Sequence, residues 1–283
     1  MATVEPTEAI QLPQGEVRYR DSGGGGRPIV FVHGLLVDGQ LWRNVTPTLE
    51  RAHRCIVPDW PLGSHRTALN AAAERSPRGM AHLIADFLAA LSLEEVTLVG
   101  NDTGGAISQL LVTERPERIG RLVLTPCDAY DNFLPPQFRP LQWLAHVPEV
   151  FTALAQPMRL PALRRSPLGF GLLVKRPIPD EITWAWLEPS LADPGVRRDL
   201  VGVLRAIDRR DTLGAAQRFG SFDRPVLVAW AREDVVFKLR YGERLAREFP
   251  RGRLEVIDDS RSFVPEDQPA RLAELIDAFV GES

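Results

Sequence analysis

The 283-residue chain reads as an α/β protein with a mostly parallel central sheet flanked by helices and interrupted by a helical insertion. Three observations predict this. Short apolar β-type runs alternate with helical patterns up to residue 127 and again after residue 220, the rhythm of a parallel sheet covered on both faces. Between them, residues 128–220 crowd prolines, arginines and aromatics into helical patterns without a strand. Finally, Leu98-Val99-Gly100-Asn101-Asp102-Thr103-Gly104-Gly105-Ala106 joins a strand run to a helix through a Gly-x-Asp-x-Gly turn.

Taken in order, Ala9–Leu12 and Glu16–Arg20 are short strands joined by Pro13-Gln14-Gly15, a hairpin. Gly23–Gly26 is a flexible loop; it lacks the strand before it and the helix after it that a phosphate cradle needs. Ile29–Val32 is a buried-type strand ending in His33-Gly34-Leu35-Leu36, and a helix is expected from Gly39 to Glu50. Cys55–Val57 is the next strand. Ser76-Pro77-Arg78 opens a helix through Leu91, with Met80, Leu83, Ile84, Phe87, Leu88 and Leu91 on one face. Glu95–Val99 and Leu122–Leu124 are strands, with a helix from about 104 to 113 between them. After the insertion come strand Val226–Trp230, helix Leu239–Phe249, strand Leu254–Ile257 and a last helix from about Pro265 to Val280. Residues 1–127 and 221–283 thus form the α/β core, and 128–220 the insertion.

Composition narrows the function classes. The net charge is −3 and Lys and Arg are spread along the chain, which argues against a nucleic-acid or membrane-surface partner. Cys55 and Cys127 lie in apolar surroundings with no CxxC pairing and read as reduced thiols. Met1-Ala2-Thr3-Val4-Glu5-Pro6 has neither the basic nor the apolar region of a signal peptide, and no apolar run reaches membrane-spanning length. A cytoplasmic protein with a small-molecule substrate is expected, and no cofactor or metal motif is present.

Chemistry concentrates at the Asp102 turn. A side chain at the tip of so sharp a strand–helix connection sits at a strained backbone angle, so its neighbours must lack bulk; Gly100, Gly104 and Gly105 supply that. The following helix points its first amides at the same place, which favours a carboxylate or an oxyanion. The plainer reading is a βα turn with an aspartate N-cap.

With these pieces in place the chain resembles the α/β-hydrolase superfamily over nearly its whole length. The matching parts are His33-Gly34 with Trp42 following, the turn at Asp102, the helical insertion as a cap, Trp230-Ala231-Arg232-Glu233-Asp234, and Asp258 to Pro269. An aspartate at the turn is similar to the haloalkane dehalogenase and epoxide hydrolase branch. That resemblance implies Asp102 as nucleophile, Asp234 or Asp128 as the acid, and the amides of Leu35 and Thr103 as an oxyanion hole. The family usually reads Gly-His-Phe before the last helix; here it is Arg261-Ser262-Phe263, and all five histidines precede the final strand. Arg261 or Ser262 is therefore expected in the histidine's place. Asp234 either orients a catalytic partner or pairs with Arg261. His33 is read as a support of its loop, Cys127 as a small buried apolar residue, and His65 as a loop residue that either borders the pocket or bonds to backbone. Phe133, Trp143, Trp184, Trp186, Tyr130 and Phe263 are expected in the pocket walls. Two enzyme readings follow, hydrolysis or non-hydrolytic acid–base chemistry on a small apolar molecule, beside a rival reading as a binding protein.

Overall fold

The computed structural model describes residues 6–282, so the reading of the first five residues as no signal peptide lies outside the described residues. Eight strands form one sheet in the order β1-β2-β4-β3-β5-β6-β7-β8. They are β1 (Glu8–Leu12), β2 (Gly15–Asp21), β3 (Pro28–Val32), β4 (Arg54–Pro58), β5 (Val96–Asp102), β6 (Ile119–Cys127), β7 (Val226–Ala231) and β8 (Gly252–Ile257). The first two strands pair antiparallel with each other, and β2 pairs antiparallel with β4; every pairing from β4 to β8 is parallel. The central strands are apolar on both faces because helices cover both: β6 and β7 are buried along their whole length. β8 lies at an edge and is only half-buried until Ile257.

The register aligns the carboxyl ends of the parallel strands. Val32 of β3 pairs with Gly100 of β5, and Asp102 with Cys127 of β6. Side chains just beyond β3, β5, β6, β7 and β8 therefore converge on one edge of the sheet, where open parallel sheets place their ligands.

Two expected helices are broken. From Gly39 the chain forms a short turn to Trp42 and another over Thr46–Leu49, because Pro47 lacks the amide that a continuous helix would use. The last helix splits into Val264–Asp267 and Pro269–Gly281. Gln268, the residue before proline, is held at φ −137° and ψ 56°, outside the helical region. Between β6 and β7 the main helices are Arg139–Leu144, Pro148–Ala155, Asp180–Ala192, Pro194–Ala206 and Arg209–Ala216. Two buried polar contacts help bind this segment to the rest. Trp186 donates its indole N–H to Asp38 at 2.8 Å. Asp199 is buried and gathers Arg75, Arg198, His65 and the amide of Leu69. No described helix is long and apolar enough to cross a membrane.

Candidate active site

β5 runs straight into the helix Thr103–Glu114, and Asp102 between them adopts φ 54° and ψ −133°, a strained backbone for a residue with a side chain. Close packing holds it there. A Cβ on Gly104 would collide with the carbonyls of Val32 and His33, and a Cβ on Gly34 would collide with Asp102 Oδ2. The loop after β3 thus presses against the turn, and the backbone amides of Leu35 and Thr103 both donate to the Asp102 carboxylate. His33 stabilises that loop: its Nε2 accepts from the Trp60 amide at 2.8 Å, so Nδ1 carries the proton and donates to Gly34 O at 2.9 Å. Burial pushes the imidazole down to about 4, so it is neutral and not free to act as a base.

Three carboxylates meet at this edge. Asp128, just past β6, is buried; Thr103 Oγ1 donates to its Oδ2 at 3.1 Å, while its Oδ1 has no partner. Asp234, past β7, accepts through Oδ1 from the amides of Val236 at 2.7 Å and Phe237 at 3.0 Å; its Oδ2 is buried without a partner. Burial raises all three carboxyls, because a charge away from water is poorly solvated. Asp102 reaches about 7, raised by burial and by the charge of Asp234 against the pull of its two amides. Asp128 is raised well above the usual carboxylate range by burial and then by Asp102. Asp234 reaches about 6, its burial opposed by the amides, Ser262 and Arg261. Of the two whose values lie near neutrality, Asp234 ionises first as pH rises and Asp102 follows.

The place expected for Arg261 or Ser262 goes to the serine. Ser262 is fully buried and donates its hydroxyl to Asp234 Oδ1 at 2.9 Å. Arg261 turns away, toward the carbonyls of Gly171 and Val174, both at 3.4 Å. The pairing of Arg261 with Asp234 is not formed. Asn101, which the sequence reading passed over, locks this corner: its amide donates to Thr125 Oγ1, Pro126 O and Ser262 O. Cys127 is buried with its thiol pushed well above the usual range, so it is inert.

Above Asp102 and Thr103 lies a cavity of about 310 Å³. Its walls are Leu35, Leu36, Leu134, Phe138, Leu141, Leu144, Phe151, Met158, Phe170, Leu173 and Leu187, with Gln137 and Ser190 among the few polar groups. The expected aromatic walls are mostly elsewhere. Trp143 is 68% exposed. Trp184 lies outside the cavity under the guanidinium groups of Arg159 and Arg164, 5.4 and 5.6 Å from the ring centroid. Trp186 and Phe263 stand behind Phe170, at 5.3 and 6.4 Å between ring centroids, so Phe170 faces the cavity in their stead. Phe133 is buried in the cluster of Leu134 and Phe151, and it is Leu134 that lines the space. Tyr130 stacks on Tyr241 at 6.4 Å beneath Arg244, away from the cavity. His65 is buried against Asp199 and does not border the cavity. Leucine and phenylalanine were missed as wall residues because helical periodicity marks them as core without saying which cavity they face. Among the described residues, no group of three or more His, Cys, Asp or Glu is arranged to hold a metal ion.

Comparison with known proteins shows what the whole chain is similar to. A haloalkane dehalogenase 2 of Mycobacterium tuberculosis is 26% identical over 284 residues, covering 93% of this chain and 91% of that protein. A 2-hydroxy-6-oxononadienedioate/2-hydroxy-6-oxononatrienedioate hydrolase 1 of Dechloromonas aromatica is 24% identical over 259 residues, 88% of this chain and 86% of its own. The crystal structure of an alpha/beta hydrolase fold protein from Burkholderia ambifaria superposes with a TM-score of 0.83 at 22% identity, over 97% of this chain and 98% of that one. The model of the alpha/beta hydrolase family matches residues 29–275, and the chain belongs to that family.

Proposed function

We propose that this protein is an enzyme that moves a proton at Asp102 on a small, largely apolar organic molecule held under the helical cap, in a cyclisation, elimination or isomerisation. The observation that carries the reading is Ser262 on Asp234, where the family resemblance places a histidine. If Asp102 attacked carbon, the resulting ester would need a general base to activate water, a contribution of ~10²- to 10⁴-fold in rate. A serine hydroxyl is not basic near neutral pH. Asp234 spends Oδ1 on two amides and Ser262, and neither it nor any of the five histidines lines the cavity. A carboxyl that titrates at about 7 in an apolar cavity suits proton exchange with a bound substrate without a covalent step. The similarity to a haloalkane dehalogenase and to a dienedioate hydrolase supports an organic substrate of modest size.

The rival reading, a binding protein without chemistry, draws on one fact: the Leu35 and Thr103 amides are already taken by Asp102 itself. Two measurements separate the readings. Mass spectrometry of the native protein identifies what co-purifies in the cavity, and that compound is then incubated with enzyme in D₂O. Incorporation of deuterium or a rearranged product, lost in Asp102→Asn, is the expected result. Unchanged compound supports the binding reading. Haloalkanes and epoxides are expected to give no multiple turnover; steady hydrolysis of either, abolished by Asp102→Asn, overturns the proposal.

A further inference from the structure

Six of the eight large apolar side chains that stand exposed among the described residues fall between positions 143 and 168: Trp143, Val147, Val150, Leu154, Leu160 and Leu168. The first four lie on the helix Arg139–Leu144, at the junction residue Val147, and on the helix Pro148–Ala155. Soluble surfaces scatter such residues singly, and a cluster marks a contact. Leu154 and Leu168 also line the cavity, so the cluster is its rim and an apolar path joins Asp102 to the outer surface.

The charge of the same segment is lopsided. Residues 139–176 hold Arg139, Arg159, Arg164, Arg165, Lys175 and Arg176 against one acid, Glu149, within a chain of net charge −3. The even spread of charge expected for the whole chain fails here. Arg159 is exposed and donates to Gln156 rather than to a carboxylate. Arg165, Lys175 and Arg176 line a second hollow of about 180 Å³ that shares Phe170 with the cavity, while Arg164 beside them is buried and bonded to Met158 O, Arg159 O and Thr183 Oγ1. Arg165, Lys175 and Arg176 are ion-paired with Asp180, Glu233 and Asp259, so the exposed cations of the segment without a carboxylate partner among the described residues are Arg139 and Arg159.

We propose that the outer face of residues 139–176 docks on an anionic lipid surface, its exposed apolar side chains entering the interface while its arginines meet lipid phosphates. Basic residues beside Trp and Leu on short surface helices are the composition that binds in this plane. A second copy of the chain is the poorer occupant: a two-fold pairing would set the same cations face to face. Docking gives a lipophilic molecule a dry route from the lipid to the cavity. It does not depend on the reaction at Asp102, since binding is read without turnover.

The test uses the whole chain and vesicles of phosphatidylcholine with or without phosphatidylglycerol, some carrying brominated acyl chains. Trp42, Trp60, Trp186 and Trp230 are fully buried and Trp184 is half-covered by two arginines, so quenching by bromine reports mainly on Trp143. The expected result is co-sedimentation with anionic vesicles, quenching of tryptophan emission, and release in 1 M salt, where screening shortens to about 3 Å. Trp143→Leu should keep binding and lose the quenching. Arg139→Gln with Arg159→Gln should weaken binding about 25-fold, roughly fivefold for each cation removed. Unchanged thermal melting shows that these variants fold. No co-sedimentation, binding without quenching, or a dimer that Leu154→Ser with Leu168→Ser dissolves would each overturn the proposal.

Discussion

Replacing Asp102 with asparagine should make the protein more stable, and the gain should depend on pH. The carboxyl titrates at about 7 in the folded chain, against 3.8 ordinarily, a shift of roughly three pH units. Between pH 4 and 7 the folded state holds a proton that the unfolded state has released, so the wild type loses stability as pH rises through that window. At about 1.4 kcal/mol per unit, ionising Asp102 costs the fold at most about 4 kcal/mol above pH 8, and nothing below pH 4. The figure is an upper bound because the exposed part of Asp102 faces the cavity, whose water solvates the charge. Asparagine keeps the shape and carries no charge. Paired melting curves of wild type and Asp102→Asn from pH 4.5 to 8.5 should diverge steadily, reaching about 8 °C at roughly 2 °C per kcal/mol for a chain of this length. In an Asp234→Asn background the divergence should level off at lower pH and reach a smaller value, since a charge that raises the folded-state pKa of Asp102 is gone. A gap that stays constant across the range would mean that Asp102 titrates as an ordinary surface carboxylate, and the acid–base reading would fall with it.

Three other outcomes follow from the packing. Gly34→Ala drives a methyl into Asp102 Oδ2 and should destabilise the fold by about 3 kcal/mol or empty the site, visible as lost ligand retention with a lowered melting temperature. Asp199→Ala removes the acceptor shared by Arg75, Arg198, His65 and the Leu69 amide; about 3–5 kcal/mol is expected in urea unfolding. The wild-type Asp199 carboxyl sits at about 2, its hydrogen bonds overcoming the upward push of burial. Its contribution is therefore complete above pH 4 and fades only as pH falls toward 2. Asp38→Ala leaves the buried Trp186 N–H without an acceptor, a loss of about 1–3 kcal/mol, and should change near-ultraviolet dichroism.

The sheet was legible because buried parallel strands are written as continuous apolar runs, as in Ile29–Val32 and Val226–Trp230, and those runs have no other use. The turn at Asp102 was legible because only small neighbours permit it, and Gly34 and Gly104 show how tight the fit is. The walls of the cavity were not. Aromatic crowding marked the segment, but a side chain's facing depends on distant partners: Trp186 is claimed by Asp38, Trp184 by two arginines, and Tyr130 by Tyr241. Ser262 was foreseen as one of two candidates. Its choice over Arg261 was settled by Asn101, 161 positions away, which grips the Ser262 carbonyl. No local pattern records such a grip.

Three carboxylates gathered at one buried edge also tie ligand affinity to proton uptake. An apolar guest that fills the cavity expels the water that solvates Asp102, and its carboxyl then binds a proton more tightly still. Near pH 7, where Asp102 is about half ionised, each guest carries a fraction of a proton into the protein, and affinity weakens as the solution becomes alkaline. Heats of binding will then change with the ionisation enthalpy of the buffer, even for a guest that has no titratable group of its own.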